Sequence, residues 1–282
     1  MFTQGTCLKK ELYGKIKELM IGAGWENISS DPTNDFDVMY STGEAGDKKL
    51  VVQMRATAIN GLNSIEDTNF ATASLRLIGS YTPGTAGKAG TVDRTSETWR
   101  ALAIAPIATT ATVDKETQVI YRYDVNKNRI IFNIEYPLAL NLSTTTFYIG
   151  IPDDTYCSEP NSRGLLFVTS TSAPGALSVL VTDSAGEVAP VTTATSRSVL
   201  CQLSPKNPNS AGSYTLSEIF YGDSSEGIRG KLSGIYALPT QNVLTGDIIV
   251  QGTQQYLIVV NQNLGNDAFP SKALALPLGP VS

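Results

Sequence analysis

Asp35 and Asp37 stand two positions apart in NDFDVMY, so on a β-strand their carboxylates share one face. A pair so placed could hold a divalent cation or divide acid and base roles. Their neighbours argue otherwise. Phe36, Val38 and Tyr40 alternate with Asp35, Asp37 and Met39, which makes the carboxylates the solvated side of a half-buried strand. Asp153 and Asp154 follow Pro152 in a turn, where Asp is favoured for backbone reasons. The stretch YGDSSEGIRGKLSG, residues 221–234, has four glycines and the outline of a phosphate cradle. It lacks GxxxxGK[ST] and continues into a strand-like segment, so the glycines are read as letting a loop pack tightly against a neighbour. Tyr121, Tyr123, Phe132 and Tyr136 share a central hairpin. They suit either a platform for a sugar or base or plain cross-strand packing.

The chain contains no histidine. The commonest general base and the commonest metal ligand are therefore both missing, and Ser-His-Asp, Cys-His, HExxH and Cys/His zinc arrangements are excluded. Cys7, Cys157 and Cys201 are widely spaced with no CxxC, a pattern of free thiols made in a reducing cytoplasm. No catalytic residue, metal set or cofactor is expected. The formal net charge is −5, so non-specific adhesion to nucleic acid or anionic membrane is not expected either. Lys9-Lys10 and Lys48-Lys49 are the basic pairs. No signal-peptide apolar core opens the sequence, and no run approaches the ~20 apolar residues of a membrane-spanning helix.

The elements that position these residues follow from periodicity. Of 282 residues, 41% are hydrophobic and only 17% charged, which suits a β protein with polar rather than ionic surfaces. Leu8, Leu12, Ile16, Leu19 and Met20 trace one helical face, predicting an amphipathic helix packed on a sheet. Thr6 is the expected N-cap, and Gly22 and Gly24 the stop. Beyond Met20 the period is that of strands at roughly ten-residue intervals with turn residues between them. They are expected near 35–40, 49–54, 74–81, 99–107, 118–123, 129–136, 145–151, 164–172, 177–182, 198–203, 214–221, 229–238 and 273–276. GDIIVQGTQQYLIVV, residues 246–260, reads as a hairpin. The expected fold is mainly β with an α+β start: an N-terminal amphipathic helix on a sandwich or barrel-like assembly of antiparallel strands. A boundary at 152/153 would divide it into a helix-plus-β region (1–152) and a β-rich region (153–282), or the whole is one domain.

Several stretches together resemble the virion structural proteins of tailed bacteriophages and prophages. They are AGWENISSDPTNDFDVMYSTGEAG, LIGSYTPGTAGKAGT, RIIFNIEYP before TTFYIGIP, YGDSSEGIRGKLSGIYALP, and NVLTGDIIVQGTQQYLIVV with its trailing AFPSKALALPL. Gly246, Asp247, Ile249, Gly252 and Tyr256 also look like the GD-x-I-x-x-G-x-x-x-Y stretch of small β-barrel joining proteins near the head–tail interface. The resemblance implies a subunit of tail, neck (tail terminator) or baseplate, made in the host cytoplasm and placed in the virion. Its partners would be copies of itself in a ring and neighbouring virion proteins, with no membrane or specific nucleic acid, although DNA could pass through the lumen. The candidate interface residues are Gly246, Asp247, Gly252, Tyr256, Gly227, Arg229 and Gly230, with the 246–260 hairpin and the loops 82–91 and 222–230 as the contact segments. A receptor- or carbohydrate-binding β module at the tail tip is the alternative.

Overall fold

A computed structural model describes residues 1–29, 36–56, 71–85, 88, 90–95, 100–103, 115–135, 144–150, 165–170, 176–182, 188–192, 197–200, 214–223, 227–240, 242–261 and 272–281. The chain opens with β1 (Thr3–Leu8), a 3-10 turn at Lys9–Glu11 and the helix α1 (Leu12–Gly22). Next come β2 (Glu26–Asn27), β3 (Asp37–Ser41), β4 (Leu50–Arg55), β5 (Ala71–Thr82), β6 (Thr91–Thr95) and β7 (Arg100–Ala103). The middle supplies β8 (Gln118–Val125), β9 (Arg129–Glu135), β10 (Thr144–Gly150), β11 (Leu165–Ser170), β12 (Ala176–Thr182), β13 (Val188–Thr192) and β14 (Arg197–Leu200). The last part holds β15 (Ser217–Asp223), β16 (Gly227–Pro239), β17 (Ile248–Gln251), β18 (Gln254–Asn261) and β19 (Lys272–Pro280). The protein is mainly β, with one short α-helix, near the start, among the described residues, as the periodicity predicts.

Three antiparallel sheets carry these strands. The central sheet has the order β1-β8-β9-β10-β11-β12-β13, the outer sheet β14-β15-β16-β19-β18-β17, and the helix-side sheet β2-β3-β4-β5-β6, with β7 also on β5. β10 pairs with β11, so the central sheet continues across position 152. Its far strands β12 and β13 curl against β5, giving a half-barrel outline.

The core follows the alternation of each strand. On one face of the central sheet Val119, Tyr121, Ile130, Phe132, Ile134, Phe147 and Ile149 pack with Met39, Val52, Met54, Leu75 and Leu77 of the helix-side sheet. Leu12, Ile16 and Met20 of α1 close this cluster, and each is fully buried. Burying such a side chain is worth roughly 1.5–3 kcal/mol. On the opposite face Ile131 and Tyr148, with Phe2 from just before β1, meet Ile235, Leu257, Val259, Leu274 and Leu276 of the outer sheet. A strand covered on both sides needs apolar residues in succession, and RIIFNIE of β9 has them.

The helix begins later than expected. Thr6 is not its N-cap: it lies in β1, opposite Ile120 of β8. An extended edge that completes the central sheet competes there with the helical register and wins. The turn opens instead at Leu8, whose N–H donates to Glu11 Oε2 at 2.9 Å. The helix stops as expected, with Gly24 at φ +91, where a side chain is disfavoured. Strands β1, β2, β6 and β13 were not predicted either; Thr and Gln in β1 carry no alternation to read.

Candidate subunit interface

Gly246 and Asp247 make a bulge at the root of the last hairpin. Gly246 N–H donates to Ile258 O at 2.9 Å, and Ile258 N–H donates to Asp247 O at 2.8 Å. Two residues thus face one, with the first a glycine at φ +99: a G1 bulge. The Asp247 carboxylate accepts the Leu244 N–H at 2.7 Å, and Thr245 Oγ1 accepts the Val260 N–H at 3.0 Å. These side chains satisfy backbone donors that a tight turn would otherwise leave open. Asp247 therefore shapes the turn.

From the bulge β17 runs against β18 in the register Ile248↔Leu257, Ile249↔Tyr256, Val250↔Gln255 and Gln251↔Gln254. Gly252 and Thr253 close the hairpin; Gly252 has φ +61 and Thr253 does not share a positive φ, the pattern of a type II′ turn. β19 occupies the other side of β18, while β17 ends the sheet. Its side chains do not enter the core: Ile248 is 56% and Val250 55% exposed, and Leu244 just before the bulge is 72% exposed. Ile249 points to the other face, beside Tyr236 and Tyr256. Tyr256 meets Tyr236 edge-on, centroids 5.7 Å apart at 89°, and burial, then the neighbouring Tyr236, pushes its hydroxyl pKa up.

The other candidates sit elsewhere in the same sheet. Gly227 and Gly230 of β16 pair with Asp223 and Tyr221 of β15, and Ile228 pairs with Gly222. Ile228 is 46% exposed, Gly230 is buried, and Arg229 stands between them on the strand. The expected loop 222–230 is thus mostly strand. β19 and β18 separate β16 from β17, so the structure does not gather Gly227, Arg229 and Gly230 with Gly246, Asp247, Gly252 and Tyr256. In the 82–91 loop, Lys88 N–H turns back to Thr85 O at 2.8 Å, and Gly90 lies against the Tyr81 hydroxyl, which a Cβ there would run into. Sequence reasoning placed Ile248 and Val250 inside the contact hairpin without singling them out, and it missed Leu244. The available signal was the absence of any charged residue from 248 to 266.

The chemistry-bearing residues resolve into structural work. Asp37 is not simply solvated: its Oδ2 accepts Tyr13 Oη–H at 2.6 Å and Lys17 Nζ at 3.2 Å, and its Oδ1 accepts Asn27 Nδ2 at 2.7 Å. It ties α1 to β3, and burial, then this carboxylate, pushes the Tyr13 hydroxyl far above its usual pKa. Asp35, the Asp153-Asp154 turn, Tyr136, Cys157 and Cys201 lie outside the described residues. Tyr121 and Phe132 stack at 5.5 Å and 6°, and Phe132 on Phe147 at 5.4 Å and 23°. Tyr123 stacks on Tyr121 at 6.0 Å. Tyr121, Phe132 and Phe147 pack within the core and Tyr123 packs against it, which is the cross-strand packing arrangement. Cys7 is a free thiol, pushed up to about 11 chiefly by burial, so it stays protonated at neutral pH. Among the described residues no cluster of three or more His, Cys, Asp or Glu could hold a metal, and no helix is long and apolar enough to cross a membrane.

The opposite face of the central sheet carries a polar row in strict register. Gln4, Arg122, Asn133 and Thr146 are successive cross-strand partners over β1, β8, β9 and β10. Arg122 Nε donates to Gln4 Oε1 at 3.0 Å, and Nη1 to Asn133 Oδ1 at 3.1 Å and to Glu135 Oε2. Asn133 Nδ2 continues to Thr146 Oγ1 at 2.9 Å. Every step is bonded, which makes it a lock on strand register.

No protein-family model matches the chain, and no curated protein matches it.

Proposed function

We propose that this chain is a non-enzymatic structural subunit of a tailed-phage virion, in the tail, neck or baseplate, and that it assembles with copies of itself. The observation that carries the reading is the end of the outer sheet. GDIIVQGTQQYLIVV, the stretch that resembles the joining proteins, forms a hairpin with no charge after Asp247, whose edge strand leaves Ile248 and Val250 more than half exposed. Exposed apolar edge strands are usually blunted by charge, Pro or a bulge along their length; here the bulge lies at the root and IIVQ itself has none of these. A mainly β body with such an edge suits a building block whose contacts are completed by neighbours.

The test is to image particles released from cells that make the protein, labelled with antibody against the chain. Labelling at one fixed level of the tail, neck or baseplate is the expected result, with peptides of the chain in the purified particles. Particles that lack both label and peptides would refute the virion role.

A further inference from the structure

Which backbone groups of β17 face outward follows from the bonds at its root. Ile258 N–H donates to Asp247 O and Ile258 O accepts the Gly246 N–H, which makes the bulge a bonded position, and residues of an antiparallel ladder alternate between bonded and non-bonded pairs. Ile248↔Leu257 and Val250↔Gln255 are then non-bonded pairs, and Ile249↔Tyr256 and Gln251↔Gln254 are bonded. The two-residue turn requires the same assignment, since Gln251 and Gln254 flank it. The N–H and C=O of Ile248 and Val250 therefore point away from β18, and among the described residues nothing accepts or donates to them. The two residues with outward backbone are the two with exposed apolar side chains.

We infer that β17 pairs antiparallel with β17 of a second copy of this chain, about a two-fold axis through Ile249. The inference rests on the proposed assembly of copies and adds the strand, the symmetry and the register. The strand is its own complement. With the axis at Ile249, Ile248 lies opposite Val250 of the second copy, outward backbone meets outward backbone, and the exposed β-branched side chains form one stripe across the junction. An axis between two residues would set outward groups against inward ones. An axis at Val250 would place Ile248 opposite Gly252, leaving it without a side-chain partner.

Charge selects the same partner. No charged side chain lies between Asp247 and Asp267, so self-pairing removes no ion from water along the strand. The register sets Asp247 opposite Gln251 of the second copy, keeping the two carboxylates apart and each beside an amide that can donate to it. Pairing would join two six-stranded outer sheets edge to edge and end the exposure of both edges. The contact is isologous, so it closes as a pair and links two subunits or two rings rather than propagating.

The experiment uses the full chain. In Ile249→Cys the two cysteines would form a non-bonded cross-strand pair, with Cα atoms about 4.5 Å apart, inside the roughly 4.4–6.8 Å span a disulfide bridges. Mild oxidation should give a covalent dimer on a non-reducing gel, against wild type with its native cysteines under the same treatment. Val250→Lys, at an exposed position where Lys protects natural edges, should halve the mass measured by light scattering and, at dilutions where wild type is single, leave the thermal midpoint unchanged. If Ile249→Cys cross-links no more than wild type and Val250→Lys keeps the wild-type mass, the β17 pairing is overturned. A wild-type oligomer in that case leaves assembly standing through another surface. A single chain in that case removes self-assembly of the isolated protein, and labelled particles would then preserve the virion role without this contact.

Discussion

β9 and β17 are both built around Ile-Ile, yet they end in opposite surroundings. Ile130 and Ile131 of β9 are fully buried, while Ile248 and Val250 of β17 are more than half exposed. The difference is position. β9 has β8 and β10 on its edges, the helix cluster on one face and the outer sheet on the other. β17 has a neighbour on one edge, and burial on its inner face stops at Leu257 and Val259 of β18. The same residue types make a strand in both places, but only the neighbours decide whether they hold the fold together or wait for a partner.

The widest separation between the two strands should come from truncating β9. Phe132 is fully buried between Tyr121 and Phe147, and Phe132→Ala should cost about 3–5 kcal/mol of stability, read from the denaturant midpoint. A loss below about 1 kcal/mol would show that the site collapses freely and that the stack is not the core it looks to be.

Next in size is the polar row. Arg122→Met leaves Glu135 buried without its cation, for an expected loss of about 3 kcal/mol. Adding Glu135→Leu should recover a large part of it, because an apolar pair in a buried site is often as stable as the ion pair. If the double variant is no better than the single, Arg122 contributes mainly through Gln4 and Asn133.

These contrasts also mark how far the sequence could be read. The period of α1 and the alternation of β8 were legible because side-chain burial repeats with the backbone. RIIFNIE was legible as a strand, and its unbroken apolar run as one covered on both faces. β1 was not, since TQGTCL has no alternation and becomes a strand through its bonds to β8. The row from Gln4 to Thr146 was invisible too, because Gln4 lies 118 residues from Arg122 in sequence and the members meet only in register. At the candidate interface the hairpin was legible and its turn glycines had evident work. That Gly227, Arg229 and Gly230 stand apart from it depends on β19 entering the sheet between β16 and β18, a long-range choice that no local pattern encodes.

Removing the Asp37 side chain should have an intermediate effect. Asp37→Ala leaves the half-buried Tyr13 hydroxyl with Met54 O, 3.2 Å away, as its remaining partner and releases Lys17 and Asn27. The expected loss is roughly 1–3 kcal/mol, with α1 amides exchanging faster than those of β9. Equal exchange in both elements would mean that α1 is held by its apolar face alone.

Asp124 gives a smaller, pH-dependent effect. Burial raises its pKa, but hydrogen bonds from the Met1 ammonium and Arg129, with their charges, together bring it below the ordinary value. Arg129 in turn donates to Ser233 of the outer sheet at 2.9 Å, so the carboxylate helps join two sheets. A depressed pKa contributes stability that is fully present above the unfolded value near 4 and is lost as pH falls through the folded one. Wild type should therefore exceed Asp124→Asn in stability at neutral pH, and the gap should close on acidification below about pH 4. A gap that stays constant with pH would assign the effect to lost packing.

The smallest effect should come from β17 itself. Ile248→Thr keeps a β-branched side chain in a strand and removes apolar surface that water already reaches. Under conditions where the chain is single, its stability should stay within about 0.5 kcal/mol of wild type. The same change at Ile131 removes a side chain held between two sheets and adds an unpaired hydroxyl, so the loss there should be several-fold larger. The ratio of the two losses measures the contrast between the strands directly. A ratio near one would mean that Ile248 is covered within the folded chain and that β17 is no free edge. A large ratio that shrinks as concentration rises would show Ile248 gaining, in the assembled protein, the burial that Ile131 has from the start.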